Sequence, residues 1–129
     1  MDTTLIGKSK EDYLEAILIQ INKHGACRST DVAAQLGFSK PSASIALKKL
    51  EEDGYIIRDD WKIVLTDRGR EIAQTTYDKH AFFTRWLERV GIDKKTAEDD
   101  PCLMEHIISR DSFEKIRSYL EEHDTVLSS

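Results

Sequence analysis

Residues 29–54 read STDVAAQLGFSKPSASIALKKLEEDG, and the punctuation of this stretch decides the fold. Ser29 and Thr30 offer a hydroxyl cap to a short helix that Gly37 stops, and Ser39 caps a second helix with Pro41 in its first turn, where a missing N–H costs nothing. The second helix runs through Ala43, Ile45, Ala46, Leu47 and Leu50 to Asp53-Gly54. Two helices joined by a tight turn form a helix-turn-helix. Its spacing predicts burial of Ile45, Ala46 and Leu50, with Ser42, Ser44, Lys48 and Lys49 left for solvent or a ligand. Small hydroxyl residues at the head of an exposed helix fit a DNA major groove. Ser39, Lys40, Pro41, Ser42 and Ser44 are therefore expected to face it, with Lys48 directed at the phosphate backbone.

Downstream, Tyr55-Ile56-Ile57-Arg58 and Ile63-Val64-Leu65 are short β-type runs separated by the polar turn Asp59-Asp60-Trp61-Lys62. A helix-turn-helix followed by such a hairpin is a winged helix. Asp59 and Asp60 oppose phosphate, so any backbone contact from the wing falls to Arg58 or Lys62. Upstream, Ser9-Lys10-Glu11-Asp12 reads as an N-cap with an acidic first turn, followed by the stripe Leu14, Ile17, Leu18 and Ile21 and a stop near His24-Gly25. Asp12 and Glu15 share a face off that stripe. The spacing alone leaves open whether they complement the helix dipole or form a ligand pair.

Beyond the wing, Thr66-Asp67-Arg68-Gly69 caps a long helix that Gly91 ends. It is longer than a lone winged helix needs, and its aromatic cluster Phe82, Phe83 and Trp86, with Leu87, is read as a dimer interface. His80, at the edge of that cluster, reads alone as a structural residue. A further helix opens near Ile92 and either kinks or restarts at Pro101. If residues 102–106 are helical, Cys102, Glu105 and His106 stand at i, i+3 and i+4. A thiolate, a carboxylate and an imidazole then project from one face, three metal-ligand types together. Ser112–Leu120 is the last amphipathic helix, and residues 124–129 read as a frayed tail.

The expected architecture is mainly α, with a winged helix over residues 1–68 and a helical metal-binding and dimerisation domain over residues 69–129. The formal charge of −5 is uneven: 11 Lys plus Arg balance 11 Asp plus Glu through residue 70, whereas 8 face 13 beyond it. A neutral front can present a local basic face to DNA while an acidic back attracts cations. No apolar run reaches membrane-spanning length and the opening residues lack a signal-peptide core, so a cytoplasmic protein with reduced Cys27 and Cys102 is expected. No nucleophile motif or Gly-rich phosphate loop accompanies the Cys/Glu/His group, which argues against an enzyme with a small-molecule substrate.

Taken in order, Glu11-Asp12-Tyr13-Leu14-Glu15, a winged helix with Ser39-Lys40-Pro41-Ser42, His80, and Cys102-x-x-Glu105-His106 resemble the diphtheria-toxin-repressor family of metal-dependent repressors. The resemblance covers nearly the whole chain. It implies a homodimer that binds double-stranded operator DNA with a divalent transition metal as corepressor, Fe2+ or Mn2+, with Zn2+ or Co2+ as alternatives. Carried over by position, the metal ligands are Asp12, Glu15, His80, Cys102, Glu105 and His106. The short manganese-responsive branch is similar in its Asp12 and Glu15 pair but has a carboxylate where Cys102 stands. The iron-responsive branch shares Cys102, Glu105 and His106 but has Met at position 12, and its second site uses Glu and His where this chain has Thr84 and Glu98. The chain thus resembles a hybrid of the two. The competing expectation is a metal-independent winged-helix regulator that answers a small organic ligand or a partner protein.

Overall fold

The computed structural model describes residues 6–123, so the tail expected over residues 124–129 lies outside the described residues, as does the very start of the chain. The elements are α1 (Lys8–His24), α2 (Ser29–Leu36), α3 (Lys40–Glu52), β1 (Ile56–Asp59), β2 (Lys62–Leu65), α4 (Asp67–Arg89), α5 (Lys94–Asp99), α6 (Pro101–Met104) and α7 (Arg110–His123). They form two compact units, one over Gly7–Gln74 and a second whose main body begins at Thr75, so the division falls within α4.

In the first unit α1 packs on α2, α3 and β2, and β1 rests on α3. Leu14, Ile17 and Leu18 of α1, Val32 of α2, Leu47 and Leu50 of α3, and Ile56 and Ile63 of the hairpin are fully buried at its centre. The hairpin is antiparallel, with Ile56 opposite Leu65 and Asp59 opposite Lys62. Its two-residue turn, Asp60-Trp61, needs a positive φ, and Asp60 supplies it at 59°. The backbone N–H of Ile63 donates to the carbonyl of Cys27 at 2.9 Å, which ties the α1–α2 connection to the wing.

Several local expectations are corrected. Helix α1 starts at Lys8, with Gly7 at its cap, so Ser9 lies inside the first turn. The cap of α2 is Arg28, whose N–H donates to the Asp31 carboxylate at 2.9 Å, while the Ser29 hydroxyl is used elsewhere. Ser39 does cap α3, accepting from the Ser42 N–H at 3.3 Å. The buried face of α3 is Ala43, Leu47 and Leu50, not the face through Ile45, which is 73% exposed. The i, i+4, i+7 stripe wins because it is the one that meets α1, α2 and β1.

In the second unit Phe82, Phe83 and Phe113 form the buried cluster, with Phe82 and Phe113 edge-on at 5.7 Å between centroids. Trp86, Met104, Ile108 and Leu120 pack around it. Helix α5 is capped by Asp93, and the Thr96 N–H that donates to this carboxylate holds it below the usual carboxylate range. The chain restarts at Pro101, as one of the two sequence alternatives has it, but α6 is a single turn and residues 105–107 continue as a turn.

Candidate metal centre and nucleic-acid interface

The restart at Pro101 places the Cys102 thiol back over the preceding turn, 3.5 Å from the carbonyl of Glu98. Although α6 ends at Met104, the Glu105 N–H still donates to the Pro101 carbonyl at 2.9 Å, so Cys102 and Glu105 keep nearly helical spacing. Glu105 is 1% exposed and holds one carboxylate oxygen toward each of two imidazoles. His80 Nδ1, reaching in from α4, lies 2.8 Å from Oε2, and His106 Nε2 lies 3.2 Å from Oε1. Cys102 Sγ stands 4.0 Å from the same His80 Nδ1. His80 and Cys102 form the accessible side of the group, and Glu105 and His106 its buried floor.

This donor set fits a transition-metal ion. Ligand atoms at ordinary metal–N, metal–O and metal–S lengths around one ion lie roughly 3–4 Å from one another, and the successive contacts from Cys102 to His80, His80 to Glu105 and Glu105 to His106, at 4.0, 2.8 and 3.2 Å, are within reach of that spacing after modest side-chain rotation. Thiolate and imidazole favour iron, cobalt or zinc, and the buried carboxylate adds a hard oxygen that suits manganese. The metal-accepting forms of thiol, imidazole and carboxyl are deprotonated, so metal loading would be favoured by rising pH.

Lys79 was not singled out by sequence reasoning. It is 2% exposed, and its ammonium donates to the carbonyls of Ile108 at 2.6 Å and Glu105 at 3.4 Å, holding the turn that carries the carboxylate. Asp12 and Glu15 belong to the first unit, on a partly exposed face of α1, where the Asp12 carboxylate accepts from Lys8 Nζ at 2.6 Å. Glu11, between the cap and this pair, is buried, which the sequence did not indicate. Thr84 is a hydroxyl one turn beyond His80 whose oxygen is buried without a hydrogen bond among the described residues, and the Glu98 side chain is exposed.

Of the expected interface residues, Phe82, Phe83 and Leu87 are buried in the chain's own structure, so only Trp86 keeps accessible surface. Beside it lies an apolar groove of about 570 Å3 lined by Phe83, Trp86, Met104, Ile107, Ile108 and Ile116, with Ile107 79% exposed.

On the first unit, Ser39, Lys40, Pro41, Ser42, Ser44 and Lys48 are all exposed, and Ile45 is exposed among them. Lys62 is exposed on the wing. Arg58 is only half-buried and already engaged, since its Nη1 donates to the Ser29 hydroxyl at 2.9 Å. Arg28, absent from the sequence-based set, lies with its guanidinium 4.3 Å from the centre of the Trp61 ring.

A winged helix with an exposed face of hydroxyls and lysines, followed in the same chain by a thiol, two imidazoles and a buried carboxylate, defines a DNA-binding regulator with a metal-binding domain. Comparison with known proteins gives the family. Residues 6–62 match the iron-dependent repressor N-terminal DNA-binding domain, and residues 66–126 match the iron-dependent repressor metal-binding and dimerisation domain. The chain belongs to this family of metal-dependent transcriptional repressors, whose members are regulators and not enzymes. It is 31% identical over 120 residues to the HTH-type transcriptional regulator MntR of Bacillus subtilis, covering 90% of this chain and 84% of that one. It is 35% identical over 120 residues to an uncharacterised HTH-type regulator of Methanocaldococcus jannaschii, covering 91% and 96%. The metal-dependent transcriptional regulator MtsR shares the fold, with a TM-score of 0.78 at 24% identity over 87% of this chain and 53% of that one. Among the described residues no helix is long and apolar enough to cross a membrane.

Proposed function

We propose that the chain is a cytoplasmic repressor of metal-ion homeostasis genes that binds operator DNA as a homodimer with Fe2+ or Mn2+ as corepressor. The observation that carries this reading is the run of donor side chains Cys102, His80, Glu105 and His106, in which each lies 2.8–4.0 Å from the next. Asp12 and Glu15, on the helix that opens the DNA-binding segment, are proposed as the remaining ligands. An ion drawing on both sets would stabilise the arrangement competent for DNA, and metal and operator affinity would rise together by reciprocal coupling, typically about 1–3 kcal/mol. The ion's contribution is charge neutralisation among acidic and imidazole ligands that otherwise resist close approach.

On the DNA side, Ser39, Lys40, Pro41, Ser42 and Ser44 are proposed to enter the major groove, with Lys48 and Lys62 on phosphates. Arg58 is proposed to act there while braced by Ser29. A dimer presents two such helices to grooves about 34 Å apart. The apolar groove around Trp86, Met104, Ile107, Ile108 and Ile116 supports self-association on that face. The test is anaerobic binding of the purified chain to a duplex recovered by selection from a random pool, titrated with Mn2+, Fe2+, Co2+ and Zn2+. Retention should require metal and fall on His80→Ala, Glu105→Gln or Asp12→Asn. Binding that survives exhaustive chelation unchanged would refute metal control.

A further inference from the structure

Arg28 stands between two hydrogen bonds that fasten the start of α2 to the wing. On one side of it the Cys27 carbonyl accepts from Ile63 N–H of β2, and on the other the Ser29 hydroxyl accepts from Arg58 of β1, both at 2.9 Å. Its own N–H is fixed by the Asp31 carboxylate at 2.9 Å. The backbone of residue 28 is therefore held in place against the hairpin. Its side chain crosses to the hairpin tip, where the guanidinium lies 4.3 Å from the centre of the Trp61 ring and Lys62 Nζ lies 5.4 Å from the same centre. Two cations thus share one indole.

The arrangement has a cost that calls for an anion. Each cation is attracted by the ring quadrupole by about 0.5–1 kcal/mol at an exposed site, yet the two repel each other, and Trp61 remains 45% exposed on a turn. Asp59 and Asp60 are the wing's own acids, and Asp59 stands opposite Lys62 in the hairpin register. The five donor N–H groups of the Arg28 guanidinium form a planar fork, the shape that meets a phosphate with paired hydrogen bonds. Lysine cannot substitute for that geometry.

We propose that Arg28 contacts the DNA phosphate backbone and that Trp61 is the residue that positions it, so that Arg28, Trp61 and Lys62 form a backbone clamp separate from the major-groove helix α3. The clamp rests on the DNA-binding reading of the winged helix and adds to it an element of affinity without sequence preference. The ring fixes where the guanidinium points before DNA arrives, which removes part of the ordering cost of a long side chain.

The experiment uses the full chain with Mn2+ and the selected duplex, and measures affinity across a range of salt. Arg28→Ala is expected to make the salt dependence shallower by about one counterion and to weaken all sequences alike, with the base preference retained. Trp61→Leu should weaken binding in the wild-type background, and Trp61→Phe should restore most of it, because a smaller ring still carries the cation. In an Arg28→Ala, Lys62→Ala background Trp61→Leu should cost nothing further. An unchanged salt slope in Arg28→Ala would overturn the proposal, and so would a full Trp61→Leu loss in the doubly substituted background, which would mean that the indole itself meets DNA. Wild-type retention of the duplex is read in the same titration, so failure to bind DNA at all is distinguished from failure of Arg28 to contribute.

Discussion

Gly69→Ala sets two effects of opposite sign against each other at the junction of wing and α4. In the first turn of α4, alanine carries about 1 kcal/mol more helix propensity than glycine, so propensity alone says the substitution stabilises. Packing says otherwise. A Cβ at Gly69 would stand 2.0 Å from the carbonyl oxygen of Tyr55 and 3.0 Å from its carbon, both backbone atoms that no rotamer change can move. That carbonyl is also the acceptor for the Thr66 N–H at 3.1 Å, while the single proton of the Thr66 hydroxyl has its shorter acceptor in the Gly54 carbonyl at 2.8 Å. Opening the gap to ordinary contact therefore means withdrawing the strand entry from the Thr66 N–H, at about 1 kcal/mol for that hydrogen bond. Residual overpacking adds about 1–3 kcal/mol. After the propensity gain the expected net loss is about 1–3 kcal/mol, a fall in Tm of roughly 5–10 °C for a chain of this size. Thermal denaturation of the metal-free chain followed by circular dichroism measures it. A Tm equal to or above that of the wild type would refute the reasoning, since it would mean that the Tyr55 backbone yields without loss.

The remaining predictions concern the metal, the thiols, the dimer and the base contacts. Cys102→Glu replaces a soft ligand with a hard one and should shift activation of DNA binding toward Mn2+, whereas the native chain should respond to Fe2+ at least as well as to Mn2+; loss of the Mn2+ response in the Glu form would assign Cys102 a structural role. Burial pushes the Cys27 thiol up to about 12, with Asp31 adding to the effect, so iodoacetamide near neutral pH should label exposed Cys102 and spare Cys27, and metal should protect Cys102; peptide mass spectrometry reads both. Ile107→Glu on the apolar groove should convert a dimer to a monomer in sedimentation, and an unchanged dimer would move the interface elsewhere. Ile45 is expected to touch a thymine methyl group, so replacing individual thymines by deoxyuridine in the selected duplex should weaken wild-type binding at one position by about 0.8 kcal/mol, roughly fourfold, and leave Ile45→Ala indifferent there.

The features that the sequence announced most clearly are those set by local chemistry. The Ser39 cap, Pro41 in the first turn of α3 and the end of α4 short of Gly91 each depend on a few adjacent residues and stand where the residue types put them, and the hairpin forms as expected but with a turn of only Asp60-Trp61, since Asp59 and Lys62 pair in the strands instead of belonging to the turn. The misreadings share a cause, which is that burial depends on what a face meets. Helix α3 offers two apolar stripes, and only contact with α1, α2 and β1 selects Leu47 over Ile45. Within the chain the large rings of Phe82 and Phe83 pack against Phe113, many residues away, which the sequence did not show. The juxtaposition of His80 with Cys102, Glu105 and His106 was foreshadowed by Cys102-x-x-Glu105-His106 together with the resemblance, whereas the role of Lys79 was not, because a buried ammonium is recognisable only once the carbonyls it serves are in place.

Helix α6 is one turn long, far below the length at which a helix sustains itself in water. Its amides are therefore protected from solvent exchange by tertiary contacts, among them the Lys79 bonds, the His80–Glu105 contact and the packing of Met104 and Ile108 on the aromatic cluster. An ion held by His80 together with Cys102, Glu105 and His106 would tie the same few residues to α4 by bonds stronger than any of these. Hydrogen exchange over residues 101–108 should then slow by a factor that tracks the free metal concentration, while the amides of the first-unit core stay as they were. In such a chain the opening free energy of one short segment serves as a local gauge of the metal in solution.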